Sequence, residues 1–169
     1  MTSPGQPPQA PVNPDQPVAY RSNRLRLFVT IAALGLVGLS FLFWVALPAN
    51  LKAEFTLSQA VTLLIILGAF VFALLVVGNG VVKADVDGLY FRNGLSRHRY
   101  AWSGIHRVVM RPGDAWAQVL LIPTDRPVEV AADLDHRMLM GIQRSDGAYA
   151  TDAVDDLNRR LKAARTRRA

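Results

Sequence analysis

The chain has 169 residues, 51% of them hydrophobic and 19% charged, with no cysteine and a net charge of +6. That length accommodates one modest domain of roughly 100 residues and something besides, and it excludes a large multidomain enzyme. Without cysteine there is no disulfide scaffold, no thiolate nucleophile and no Cys-ligated zinc or iron–sulfur centre.

Residues 1–22 open with Pro4, Pro7, Pro8, Pro11, Pro14 and Pro17, six of the ten prolines, set among Gln, Asn, Ser and Gly. Such a stretch buries too little apolar surface to offset its ordering entropy, so a disordered, Pro-rich tail is expected over 1–22.

Between Arg26 and Lys52 lie 25 uncharged residues, and between Glu54 and Lys83 another 28. About 20 apolar residues cross the hydrocarbon of a bilayer. Two spanning helices are therefore predicted, over about 27–47 and 57–78, joined by a short connector into a hairpin covering 23–80. Lipid offers backbone N–H and C=O groups no partner, and the alternation of a membrane-barrel strand is absent, so both runs must be helical. The first run is longer than a signal-peptide core, and Ala46-Leu47-Pro48-Ala49 lacks the A-x-A spacing of a cleavage site. Arg21, Arg24 and Arg26 precede the first helix and Lys83 follows the second, while the connector carries Lys52 alone. The positive-inside rule then puts both termini in the cytoplasm and the hairpin in the inner membrane. The four flanking cations double as an attraction for anionic lipid. Trp44 and Phe43 are expected at the outer interface and Tyr20 at the inner one. Gly35, Gly38 and Ser40 with Gly68, Ala69 and Ala73 permit close packing, within the hairpin or, through Ala69-xxx-Ala73, between two copies.

From Val81 the texture changes to short β-branched and aromatic runs. VVKADV, LYFRN and LSRHRYAW are separated by Asp87-Gly88 and Asn93-Gly94, strong hairpin signals. His106–Arg111, Trp116–Ile122 and Pro127–Ala131 bring the count to about six strands, antiparallel because no crossover helix separates them. Residues 133–150 show no clear pattern beyond Leu134, Leu139 and Ile142 as cover for an open sheet end and Ser145-Asp146-Gly147 as a turn. A helix is predicted over 151–165, with Thr151 as N-cap and Asp152, Asp155 and Asp156 in its first turns. Val154, Leu157 and Leu161 form its apolar stripe, and Asp155/Arg159 and Asp156/Arg160 pair four apart. Residues 166–169 are a basic tail, and the C-terminal basic run from Arg159 to Arg168 reads as either a membrane clamp or a solvated helix end. The fold class is thus a membrane α-helical hairpin plus a small antiparallel β domain over 81–165, capped by a C-terminal helix.

The stretch GLYFRNGLSRHRYAWSGIHRVVM, Gly88 to Met110, together with sheet-then-helix order, resembles bacterial pleckstrin-homology (PH-like) domains. The resemblance implies a barrel or sandwich closed by the last helix. It also directs attention to lipid headgroups: phosphoinositide-binding relatives carry a lysine on the first strand and Arg-x-Arg on the second, facing a long loop. Arg97-His98-Arg99 matches the second element, with Arg92 or Lys83 for the first, so Arg92, Arg97 and Arg99 are the headgroup candidates. The turn at Asn93-Gly94 is too tight for a phosphate cradle.

No catalytic constellation has useful spacing. His98, His106 and His136 show no metal-ligand arrangement, no phosphate-binding glycine loop is present, and neither apolar run holds an ionisable residue. Trp102 and Trp116 read as core. The expectation is a non-enzymatic protein with no cofactor, no metal, no small-molecule substrate and no nucleic-acid partner. Its PH-like module would serve protein–protein interaction, as an accessory or assembly subunit of a membrane complex. The alternative is a module reading anionic lipid, and an enzyme acting on a lipid or envelope precursor stands third.

Overall fold

The computed structural model describes residues 13–123 and 134–168; the expected strand at Pro127–Ala131 and the first twelve residues of the expected tail lie outside them. The chain opens on a short strand, β1 (Val18–Tyr20), then forms α1 (Asn23–Ala46), a one-and-a-half-turn α2 (Ala49–Glu54) and α3 (Leu57–Val77). Both long helices start where their caps dictate. The Ser22 hydroxyl accepts from Leu25 N at 3.2 Å. Thr56 and Gln59 form a reciprocal capping box, Oγ1 accepting from Gln59 N and Gln59 Oε1 from Thr56 N. Both are long and apolar enough to cross a membrane. Trp44 meets Phe55 edge to face across the connector, with ring centroids 5.3 Å apart.

The two helices run against each other but bury few side chains completely. Only Val29 and Ala33 of α1 are buried, and nothing on α3. A Cβ placed at Gly35, Gly38 or Gly68 would meet no atom within 4 Å. Gly35, Gly38 and Gly68 therefore do not seat one helix on the other. Close approach occurs instead where α1 begins and α3 ends, at Gly78, whose Cβ position is 3.3 Å from Val29.

After α3 come β2 (Val81–Ala84), β3 (Gly88–Asn93), β4 (Ser96–Ala101), β5 (Ile105–Val109), β6 (Trp116–Leu121), β7 (Asp135–Gln143) and α4 (Ala148–Thr166). They form two antiparallel sheets, β1-β2-β3-β4 and β5-β6-β7. Two turns differ from expectation. Asn93 pairs with Ser96, so the two-residue loop is Gly94-Leu95, with Gly94 at φ +60, as a type II′ turn requires at its first position. Between β2 and β3 the turn is made by the Asp85 carboxylate, which accepts from Asp87 N and Gly88 N. Gly88 serves another purpose: a Cβ there would lie 2.1 Å from the Tyr100 carbonyl oxygen.

The largest departure concerns β1. Residues 13–22, expected as disordered tail, join the sandwich, with Val18 opposite Ala84, Ala19 opposite Lys83 and Tyr20 opposite Val82. The whole helical hairpin is thus inserted between two neighbouring strands of one sheet. Only Arg21 and Ser22 link β1 to α1, and only Gly78, Asn79 and Gly80 link α3 to β2. The second departure is β7, nine residues long, in the stretch that showed no pattern. Leu139 and Ile142 on it are fully buried. At Gly141 a Cβ would come within 2.8 Å of Val82 N and 2.9 Å of Tyr20 O, and at Gly80 within 2.8 Å of the Met140 carbonyl carbon. These two glycines let the sheets meet backbone to backbone.

Between the sheets lie Val82, Leu89, Phe91, Ile105, Val108, Val119, Leu139 and Ile142, all shielded from solvent, with Leu157 of α4 closing the open side. The last helix starts three residues before the expected 151, behind Gly147 at φ +64. Thr151 is therefore not a cap, and no acidic residue stands in the first turn. Asp156 instead faces inward, 5% exposed, against Arg160 at 4%. Arg160 Nε donates to Asp156 Oδ2 at 2.7 Å, and its Nη1 donates to the carbonyls of Pro14 and Gln16 at 3.0 and 2.6 Å. The Tyr20 hydroxyl donates to the same carboxylate oxygen. Tyr20 is the residue that ties β1 to α4. Burial first, and the neighbouring Asp156 second, push its phenol well above the ordinary value near 10.

Candidate functional site

The sandwich has a helical end, where α1 and α3 join it, and a far end. Strands β2, β4 and β6 run away from the helices and β3, β5 and β7 run back, so turns alternate between the ends. Helix α4 runs outward: Tyr149 near its start accepts a hydrogen bond from Arg21 N at 3.4 Å, and Arg167 near its finish pairs with Asp15.

The headgroup candidates share the outer face of the four-stranded sheet. Arg92 stands directly opposite Arg97, while Tyr90 stands between Lys83 and Arg99. The cations differ in what they are free to do. Arg99 lies 3.5 Å from both Asp85 and Asp87 and leans to the far end. Arg92 is held at the helical end, Nη2 donating to Asn79 Oδ1 at 2.6 Å and Nε to Asn79 O at 3.3 Å. Arg97 is exposed and has no partner among the described residues. Of the helix-flanking cations, Arg24 donates to Ser145 O at 2.9 Å, while Arg21 and Arg26 are exposed around the start of α1.

The Arg-x-Arg run does not sit on the second strand. Because β1 comes from before the hairpin, Arg97 and Arg99 belong to the fourth strand, Lys83 to the second, and the first-to-second connection is the hairpin itself. The basic run of α4 is remote from Arg92 and Arg97. Arg165 donates to the carbonyls of Ile105 and His106 at 3.1 and 2.8 Å, at the far end.

The remaining candidates have structural surroundings. Trp102 is buried and its Nε1 donates to Asp85 O at 2.9 Å. His98 packs against both Phe91 and Tyr100, and His136 Nδ1 contacts Leu134 O at 2.9 Å. A cleft of about 640 Å³ separates β5 from α4, lined by His106, Arg107, Arg111, Arg144, Thr151 and Asp155 among others. Its strand edge is already occupied. Asn158 accepts from Val108 N and donates to Val108 O, at 3.1 and 2.9 Å, so a peptide could not add as a strand at that point. Arg144 is spent on the carbonyls of Arg111 and Asp114.

Sequence reasoning missed the helical end as a surface. Leu95, at the β3–β4 tip, is 72% exposed, Met138 48% and Tyr149 44%. Gly94 packs on the last turn of α3, its Cβ position 2.9 Å from Val76 Cγ1. Asn93 bridges to β7, donating to Met138 O at 2.6 Å and accepting from Met140 N at 3.1 Å. The signal was available: a two-residue turn carrying an exposed leucine, flanked by Arg92 and Arg97.

With this geometry in place, the comparisons agree with the fold. Residues 81–160 match the family described as Bacterial PH domain, and that stretch is a bacterial PH domain, with two apolar helices preceding it. The chain matches no curated protein and no solved structure.

Proposed function

We propose that α1 and α3 cross the inner membrane as a hairpin, holding the PH sandwich on the cytoplasmic face as a non-enzymatic docking module, an accessory or assembly subunit of a membrane complex. The observation that carries this reading is the pairing of β1 with β2 across the hairpin. Two strands can share a ladder only if the start of α1 and the end of α3 emerge on one side, which requires an even number of crossings. The flanking Arg21, Arg24, Arg26 and Lys83 favour the cytoplasm as that side. Links of two and three residues hold the sandwich in one orientation against the membrane, so a partner meets a preoriented surface and little rotational freedom is lost on binding.

The unfilled glycine faces of the hairpin support assembly rather than a stand-alone anchor. Two helices with few buried side chains, and with open space at Gly35, Gly38 and Gly68, can receive helices of a partner without rearrangement. In Gly35→Leu/Gly38→Leu the added Cβ atoms meet no atom within 4 Å, and leucine is the better helix former. The variant is expected to insert and fold as before yet to recover at least roughly tenfold less partner in mild-detergent co-purification, about 1.4 kcal/mol of association. A wild-type chain running alone as a monomer in mild detergent contradicts the assembly role.

A further inference from the structure

We propose that the helical end of the sandwich is itself a lipid-contacting surface: Leu95 and Met138 dip into the bilayer interface while Arg97, opposite Arg92, holds the phosphate of an anionic phospholipid. This rests on the reading that α1 and α3 span the membrane.

Three observations converge. First, the β3–β4 tip reaches past the start of β2 to the last turn of α3: Val81 is in register with Arg92, but Gly94 packs on Val76. Val76 belongs to the apolar run, so the tip stands level with the border of the hydrocarbon and Leu95 projects beside it. Second, the exposed apolar side chains cluster. Of the five large ones exposed on the described sandwich and α4, namely Val86, Leu95, Ile122, Met138 and Tyr149, three are at the helical end. Tyr149, edge-on to Tyr20 and bonded to Arg21 N just before α1, stands where interfacial aromatics gather. Third, the charge is arranged for an anion. Arg92 and Arg97 are directly opposite on neighbouring strands, and like charges so placed repel. Arg92 is fixed by Asn79, whereas Arg97 has no partner among the described residues, and guanidinium groups match phosphate oxygens in a bidentate fork. A bilayer supplies both the phosphate layer and, just beneath it, the apolar medium for Leu95. Arg99 and the basic end of α4 take no part.

The absence of cysteine permits a direct test on the full chain. Single variants Leu95→Cys, Met138→Cys, Val86→Cys and Leu64→Cys, labelled with an environment-sensitive nitrobenzoxadiazole probe, are placed in nanodiscs of phosphatidylcholine with or without phosphatidylglycerol. Probes at Leu95 and Met138 are expected to shift to the blue and be quenched several-fold more by shallow lipid-borne quenchers than the probe at Val86, at the far end. Leu64, mid-way along α3, reports deep quenching. Arg97→Gln is expected to reduce quenching at Leu95 in the anionic discs and leave it unchanged in the neutral ones. A probe at Leu95 as wet as that at Val86, with Leu64 deeply quenched, overturns this inference and leaves the spanning helices intact. A wet probe at Leu64 overturns both. Quenching at Leu95 indifferent to lipid charge and to Arg97→Gln overturns the phosphate role.

Discussion

A soluble fragment beginning at Asn79 is expected not to fold, although it contains the whole of the matched 81–160 stretch, and residues 13–22 supplied with it are expected to restore the fold. The fragment lacks β1, and the loss is more than three residues of ladder. Val82 and Ala84 of β2 lose their cover on one edge, Asp156 loses the Tyr20 hydroxyl, and Arg160 loses the carbonyls of Pro14 and Gln16. Hydrogen bonds to charged groups contribute about 1.5–3 kcal/mol each, so these contacts together are comparable with the 5–15 kcal/mol by which a domain is stable. The complementary chain replaces residues 23–77 with a short Gly/Ser turn. Since Tyr20 already lies opposite Val82, such a turn closes without strain, and the product is expected to be soluble and to melt cooperatively by circular dichroism. A fragment from Asn79 that melts as sharply as that product would show β1 to be an accessory.

The second large effect is expected at the buried cluster behind β1. Asp156→Ala strands the Arg160 guanidinium in a dry setting, and breaking a buried pair from one side costs about 3–5 kcal/mol. Replacing both partners, Asp156→Leu with Arg160→Met, should cost clearly less, which separates the stranded charge from the lost volume. Denaturant unfolding of the Gly/Ser-linked sandwich measures both. The same cluster gives an alkaline signature. The folded phenol of Tyr20 sits above its unfolded value near 10, so below that pH both states are protonated and the contribution is constant. Above it the unfolded chain ionises first, and stability falls as pH rises toward the folded value. Tyr20→Phe removes that part of the slope at the cost of one hydrogen bond. A Phe variant that loses stability with pH as steeply as the parent would contradict the assignment.

What could be read from the sequence follows from the range of the interactions involved. Charge-free runs of spanning length are a local property, and α1 and α3 fall within four residues of their expected ends. Strands β2 to β6 were legible because each is a short run rich in β-branched and aromatic residues that ends on its own turn residues. Strand β1 was not, because Val18-Ala19-Tyr20 is too short to outweigh the prolines before it and its partner is more than sixty residues away, across the hairpin. β7 was hidden for a different reason. Asp135, His136 and Arg137 are exposed, and Gly141 faces backbone at a position where alternation would demand a side chain. The start of α4 was misread because Thr151 is a good cap in isolation, whereas Gly147 in a left-handed conformation begins the helix earlier. The basic candidates Arg92, Arg97 and Arg99 fall on one face of the sheet. That Arg99 is engaged by Asp85 and Asp87, while Arg97, opposite Arg92, has no partner among the described residues, depends on a register that no single strand encodes.

Everything rests on the sandwich closing across the hairpin, and one cross-link asks that question of the membrane-embedded chain. Ala19 and Lys83 are register partners on the outer face of the sheet, and such pairs bring Cα atoms within the range a disulfide spans. In Ala19→Cys/Lys83→Cys, mild oxidation of isolated membranes is expected to give one intrachain disulfide in nearly every molecule, read as a mobility shift reversed by reductant. Free thiols persisting under those conditions, or cross-links only between chains, would mean that the segment before the first helix never meets the strand after the second.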